Sequence, residues 1–494
     1  MASFKKLAGE TAIYGIPTIV GRLLNYLLVP LYTYKFNPEE YGVVTEMYAY
    51  SSFLLIVLTY GMETTLFRFS QMDYDKNKVY TTSLIAIVTT SVLFVVFSFL
   101  FTPQLASLIR YPENQEYVKW FALILGFDAL CSVPFAKLRQ ENKAKKFAFI
   151  KSLNILLNIL LNLFFIVLCP YLLKNNIAVD CVNMVYAKEV GVGYIFLSNV
   201  YASAFTFLLL LPTIIKERYD YDYGILKKML VYTYPLLFAG LAGIINETLD
   251  RILIKYLIPD HHVAMTQVGI YGACYKISIL MTIFIQTFKF AAEPFFFSHS
   301  KEKNADEIYA NVMRYFVIAC LFIFLGTMMY IDIIKFFIGK DFRIGLHVVP
   351  ILLLANMFLG IYYNLSIWYK LSGQTYYGAY ISLIGAAITL IINFLLIPRI
   401  GYTGAAWATF ACYTSMMAVS YFVGQRKHNI NYPVKKLSVY FLVAMFFYFI
   451  STLIPTETIT IPVKLIINTL FLLVYTFYIF KKENLLSKIS LKIN

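Results

Sequence analysis

A small set of charged residues stands where so apolar a chain has little room for charge. Arg22, Arg251, Lys276 and Lys289 are basic, and Glu46, Asp128, Glu247, Asp250 and Glu293 are acidic. A charge at the centre of a bilayer costs about 2.5–3.5 kcal/mol even on the lenient insertion scale, so such groups should turn toward a polar interior. There, fixed cations hold anions, and carboxylates take up protons or sodium ions. Spacing sorts them further. Thr18, Arg22 and Asn25 share one helical face, as do Glu247, Asp250 and Arg251. Thr282, Gln286, Lys289 and Glu293 form a polar stripe. Glu247–Arg251 and Lys289–Glu293 are i, i+4 pairs that can neutralise one another, whereas Arg22 has no acid on its face. Lys276 lies near an outer end, where it can snorkel. Asn154, Asn158 and Asn162 make a further stripe that reads as interhelical glue.

The elements that carry these groups must be membrane spans. The 494 residues are 60% hydrophobic, 18% aromatic and 14% charged, with a mean hydropathy of +0.68. A soluble domain carries about 25% charged residues, so a polytopic membrane protein is indicated. Runs of about 20 apolar residues predict fourteen spans, near 11–34, 41–63, 79–102, 117–136, 147–169, 190–213, 230–257, 268–297, 309–337, 347–369, 376–397, 402–424, 437–455 and 460–480. The run at 347–369 is interrupted by Asn356, Gly360 and Asn364. The first run is too long for a signal peptide and reads as a retained span. With the N-terminus inside, inner segments hold 27 of the 42 Lys and Arg and outer ones 11. The positive-inside rule then puts both termini in the cytoplasm.

Several chemistries are excluded. The six cysteines show no CxxC or Cys/His metal spacing. Cys169 and Cys181 flank one outer loop and read as unpaired thiols. No GxxxxGK[ST] occurs, no basic soluble domain suggests nucleic-acid binding, and the short loops leave no place for a catalytic constellation. No metal and no cofactor is expected, and the chain reads as a transporter rather than an enzyme.

An internal repeat organises the spans. Tyr14-Gly-Ile-Pro17 recurs as Tyr232-Thr-Tyr-Pro235, and Gly42 before Tyr48 matches Gly269 before Tyr275. Lys137-Leu138 matches Lys370-Leu371, and Asn162-Leu-Phe-Phe-Ile matches Asn393-Phe-Leu-Leu-Ile. Six spans per repeat bring the second copy in with the same orientation, as in parallel-repeat transporters. The expected fold is all-α: an N-lobe at 1–213, a C-lobe at 214–424, and two extra helices with a cytoplasmic tail at 425–494. Apart from Asp128, the embedded charges fall in the first two helices of each lobe.

The opening LAGETAIYGIPTIVGRLLNYLLVPLYTYKFNPEEYGVVTEMYAY resembles the start of bacterial oligosaccharide flippases of the polysaccharide transporter family, within the multidrug/oligosaccharidyl-lipid/polysaccharide exporter superfamily. LRQENKAKKFAF, VGIYGACYKIS and PRIGYTGAAWATF resemble that family's inner loop and second-lobe segments. The resemblance implies two six-helix lobes around a cavity, and an undecaprenyl-diphosphate-linked oligosaccharide moved from inner to outer leaflet of the bacterial plasma membrane for O-antigen or capsule synthesis. It implies cavity cations at Arg22, Arg251 and Lys289, with Asn25, Lys276 and Gln286 completing the expected substrate set. Glu46, Asp128, Glu247, Asp250 and Glu293 are the expected proton- or sodium-coupling set. Membrane lipids and the polysaccharide polymerase machinery are the expected partners. The embedded acids also suit a second reading, a proton- or sodium-coupled cation or multidrug antiporter of the same superfamily.

Overall fold

The computed structural model describes residues 23, 24, 26–216, 218–300, 302–454 and 460–484. Among them the ordered elements are helices only, and twelve are long and apolar enough to cross a membrane. The expected span at 11–34 lies mostly outside the described residues. The one at 402–424 forms a helix but, rich in Thr, Ser, Gly and Tyr, is not among the twelve. The chain divides into two compact units, Met1–Gly272 and Ala273–Asn494.

The first unit contains α1 (Leu28–Lys35), α2 (Pro38–Thr59), α3 (Met62–Phe69), α4 (Lys76–Leu100), α5 (Gln115–Gln140), α6 (Ala144–Leu163), α7 (Gly193–Ile215), α8 (Tyr223–Leu257) and the start of α9 (His261–His299). Local signals set the starts. Asn37 and Glu40 form a reciprocal capping box before α2, with Pro38 at its first position. Asp75 caps α4 and Asp222 caps α8. The Ile225 amide, donating at 3.0 Å, holds the Asp222 carboxyl below its usual range. Between α2 and α3 the chain turns through left-handed Tyr60 and Gly61, at φ 33° and 75°. Glycine adopts that conformation freely, and tyrosine only under constraint. The core joins Leu58, Met62 and Leu66 to Val79, Ile87 and Val133.

The asparagine stripe of α6 does fasten helices. Asn154 Nδ2 donates to Ala202 O and Thr206 Oγ1 on α7, at 3.0 and 2.7 Å. Asn162 accepts from the Tyr32 hydroxyl of α1 at 2.9 Å. Cys169 is buried, Cys181 is exposed, and both are free thiols.

The second unit continues α9 and adds α10 (Ala305–Met329), α11 (Val349–Leu365), α12 (Tyr376–Ile400), α13 (Tyr402–Lys427), α14 (Val434–Thr452) and α15 (Ile461–Lys482). The polar interruptions of α11 are absorbed internally. Asn356 and Asn364 donate to the carbonyls of Leu352 and Gly360, four residues back, at 2.9 and 3.1 Å. Helix α15 is fastened to α10 at both ends. At one, Asn468 Nδ2 reaches Met329 O at 2.7 Å and Lys464 reaches Asp332 at 2.9 Å. At the other, buried Glu483 takes Lys436 at 2.7 Å, Arg314 at 3.3 Å and the Tyr440 hydroxyl at 2.6 Å.

Candidate functional site

In the first unit the polar residues gather around a charge pair that sequence reasoning missed. Lys255, counted with the outer segment because it sits in the last turn of α8, is fully buried against Glu46 of α2. Lys255 Nζ donates to Glu46 Oε2 at 2.9 Å and to Ile109 O at 2.6 Å. The Tyr111 hydroxyl donates to the same Oε2 at 2.6 Å, and the ammonium lies 3.8 Å from the Tyr111 ring centroid. Burial first, and the Glu46 charge second, push the Tyr111 hydroxyl well above its ordinary value, so it stays a donor. Two unit charges about 3 Å apart attract by several kcal/mol at an effective dielectric near 20, against a desolvation cost of similar size. Opposite charges on two otherwise apolar spans, the second and the seventh, were the available signal. No helical spacing links them, because the connection after α4 must fold over to complete the group.

Glu46 sits one turn along from Gly42, where α2 meets α9 backbone to backbone. A Cβ on Gly42 would stand 2.2 Å from Met265 O, and one on Gly272 would stand 2.4 Å from Thr45 Oγ1. Small residues at matched spacing are how spans approach this closely in lipid.

The other expected residues of this unit are distributed as follows. Arg22 and Asn25 lie outside the described residues. Arg251 is buried and pairs with Asp250 at 3.3 Å, while its Nη1 donates to the Glu247 main-chain carbonyl at 2.6 Å. Asp250 also takes the Tyr271 hydroxyl at 2.5 Å. Arg251 is thus neutralised by its neighbour in sequence, and the Glu247 side chain is exposed. Asp128 on α5 accepts from Ser203 of α7 at 2.7 Å, and Asn199 one turn away donates to the Tyr48 hydroxyl at 3.1 Å.

In the second unit, Glu293 pairs with Lys370 across helices rather than with Lys289 on its own. Lys289 lies half-buried over the Tyr363 ring, 4.7 Å from its centroid, a cation–π arrangement. Lys276 and Gln286 are half-buried. A cavity of about 480 Å³ is lined by Phe297, Tyr309, Trp368 and Gln374 with the Asp306–His428 pair, hydrogen-bonded at 2.8 Å. An apolar cavity of about 570 Å³ lies among Met313, Met357, Phe358, Met417 and Phe441, beside α14. Among the described residues no group of His, Cys, Asp or Glu could hold a metal ion. These sites offer cations for an anion, buried carboxylates for a proton, and an apolar recess for a chain.

The family model described as "Polysaccharide biosynthesis protein" matches residues 36–343. A protein of Haemophilus influenzae named "Lsg locus putative protein 1" is 23% identical over 304 residues, covering 60% of this chain and 68% of that protein. The structure is similar to the lipid II flippase MurJ in an inward closed conformation, with a TM-score of 0.69 and 14% identity, over 95% of this chain and 99% of the other. It is also similar to an inward-facing multidrug resistance MATE family transporter of the MOP superfamily, with a TM-score of 0.61 and 13% identity, over 84% and 94% of the two chains. With more than half of its length matched by that family, this multi-pass membrane chain belongs to the polysaccharide biosynthesis protein family, and its fold is like that of these two proteins.

Proposed function

We propose that this protein is a flippase that carries an undecaprenyl-diphosphate-linked oligosaccharide from the inner to the outer leaflet of the bacterial plasma membrane, for polymerisation into O-antigen or capsule. The observation that carries the reading is the family match over residues 36–343 on a fold like that of a lipid II flippase. Leaving a bare diphosphate in hydrocarbon would cost tens of kcal/mol, so the cargo needs cations. Lys289 and Lys276 with Gln286, and Arg22 with Asn25, are the residues we assign to it. Arg251 joins them once Asp250 releases it. The polyprenyl tail stays in lipid, and the apolar recess beside α14 supports a path along the last two helices.

The mechanism is alternating access of two six-helix lobes, 1–213 and 214–424, with 425–494 appended and both termini cytoplasmic. A negative interior favours outward movement of anions by about 2.3 kcal/mol per charge per 100 mV. Glu46, Asp128, Glu247, Asp250 and Glu293 are the residues we assign to proton or sodium coupling. The polymerase machinery would receive the cargo.

Deletion in the native host, with analysis of lipid-linked glycans, tests this. Undecaprenyl-linked repeat units accumulating on the cytoplasmic leaflet is the expected result. Unchanged glycans with altered resistance to cationic drugs would instead favour an antiporter, the reading that the MATE-like fold and the embedded acids support.

A further inference from the structure

We propose that Lys370 is a positioning residue for the anion contact at Lys289. By drawing the Glu293 carboxylate to itself, it leaves the Lys289 ammonium uncompensated and open to a phosphate of a lipid-linked cargo. This deepens the flippase reading, on which the choice of ligand rests.

Lys289 and Glu293 stand four residues apart on α9, within reach of one another. By themselves they would neutralise each other, although a lysine preceding its glutamate is the weaker order of such a pair. Lys370 changes the outcome. Its Nζ donates to Glu293 Oε1, as hydrogen bond and ion pair together. Lys289 is left over the Tyr363 ring, 4.7 Å from its centroid, with no ion pair among the described residues. The ring attracts an ammonium through its quadrupole but carries no charge to cancel it. Two ammoniums and one carboxylate leave one surplus positive charge, and the pairing decides that it sits on Lys289.

Lys370 can hold the carboxylate because its own backbone is anchored. It lies in the short helix Ile367–Leu371, whose Ile367, Trp368 and Tyr369 are buried. Trp368 and Tyr369 belong to one core with Ile381, Tyr413 and Met416. The Tyr369 and Tyr362 hydroxyls share a hydrogen bond of 3.2 Å. From that fixed base the partly exposed lysine side chain reaches α9. An ion pair open to water is a weak tie between helices. Its effect is instead to keep the carboxylate away from Lys289, and nothing in this requires Glu293 to gain or lose a proton.

Binding follows from the charge left over. A phosphate oxygen accepts a charge-assisted hydrogen bond from the Lys289 ammonium. Without Lys370, Glu293 turns to Lys289 and the anion meets a neutral pair.

The test is calorimetric titration of the full-length protein in lipid nanodiscs at neutral pH, with farnesyl diphosphate as a soluble lipid diphosphate. Lys370→Met should weaken binding about tenfold, the value of one charge-assisted contact, and Lys370→Arg should keep it. Glu293→Gln should tighten binding by about threefold, because both ammoniums are then unopposed. Lys370→Met/Glu293→Gln should recover most of the loss, and adding Lys289→Met to any of these should remove the gain. A pair that serves only to fasten helices predicts the opposite for Glu293→Gln and no rescue in the double variant. Either of those results, unweakened binding in Lys370→Met, or no binding of the diphosphate by the unaltered protein overturns the proposal. A failure of the flippase reading shows separately, as unchanged glycans in the deletion strain while the binding pattern holds.

Discussion

Gly42 of α2 and Gly269 of α9 stand face to face, so close that a Cβ on Gly269 would lie 1.8 Å from Pro38 O and 3.0 Å from Gly42 N. These are the two glycines that the repeat expected from the sequence would pair, and the fold brings them into contact with each other.

Alanine at either should therefore be poorly tolerated. The obstructing atoms are backbone, which cannot swing aside, so Gly42→Ala or Gly269→Ala should cost at least the 1–3 kcal/mol typical of overpacking. Gly326 of α10 has open space around its Cβ position, and Gly326→Ala should be neutral or stabilising by up to about 1 kcal/mol. Thermal unfolding in detergent measures both. Equal effects at the two kinds of site would remove the seam from the account.

The buried pair should behave non-additively. Lys255→Met or Glu46→Ala leaves one charge in a dry interior, at about 3–5 kcal/mol. Glu46→Leu/Lys255→Leu removes both and should recover most of that loss. A double-mutant cycle on melting temperature or urea midpoint gives the coupling. A coupling near zero would mean that the two groups are solvated in the membrane.

Acid should loosen α15. Burial on its own would raise the Glu483 carboxyl, but Lys436, Tyr440 and Arg314 outweigh it and hold the group below its ordinary 4.5. Asp332 likewise ends below 3.8, because Lys335 and Lys464 overcome the effect of burial. A carboxyl lowered by folding contributes stability that is complete above its unfolded value and lost as pH falls through the folded one. Melting temperature should hold from pH 7 to about 5 and drop below about 4.5. Glu483→Gln should lower it at pH 7 and flatten the drop. A drop of unchanged size in that variant would assign acid sensitivity elsewhere.

Asn468 supplies the neutral part of the same attachment, taking Ser451 Oγ at 2.8 Å while donating to Met329 O. Asn468→Leu should cost about 1 kcal/mol, in the range of interhelical hydrogen bonds within membranes, seen as faster hydrogen exchange in α15. Unchanged exchange there would show that apolar packing alone seats the helix.

Transport should depend on Lys289 for its charge. Lys289→Arg should keep flipping, and Lys289→Met should reduce it about tenfold or more, the value of one charge-assisted contact. Flipping of a lipid-linked oligosaccharide in proteoliposomes reads this directly. Full activity of Lys289→Met would move the anion contact to another cation.

The amino-acid order by itself determined the all-helical membrane class and the positions of most helices. Length and hydropathy of a run are local properties that the bilayer reads directly. It also pointed to a repeat in which Gly42 and Gly269 correspond. It did not decide the partners of the embedded charges. Spacing along one helix suggested that Glu247 served Arg251 and Glu293 served Lys289. In the structure Arg251 turns to Asp250, and Glu293 reaches Lys370 on another helix. Lys255, read as an outer residue, pairs with a glutamate 209 positions away. A buried charge is satisfied by whatever lies nearest in space, and that depends on which helices pack together and how a loop closes over them. Only the tertiary structure sets those distances.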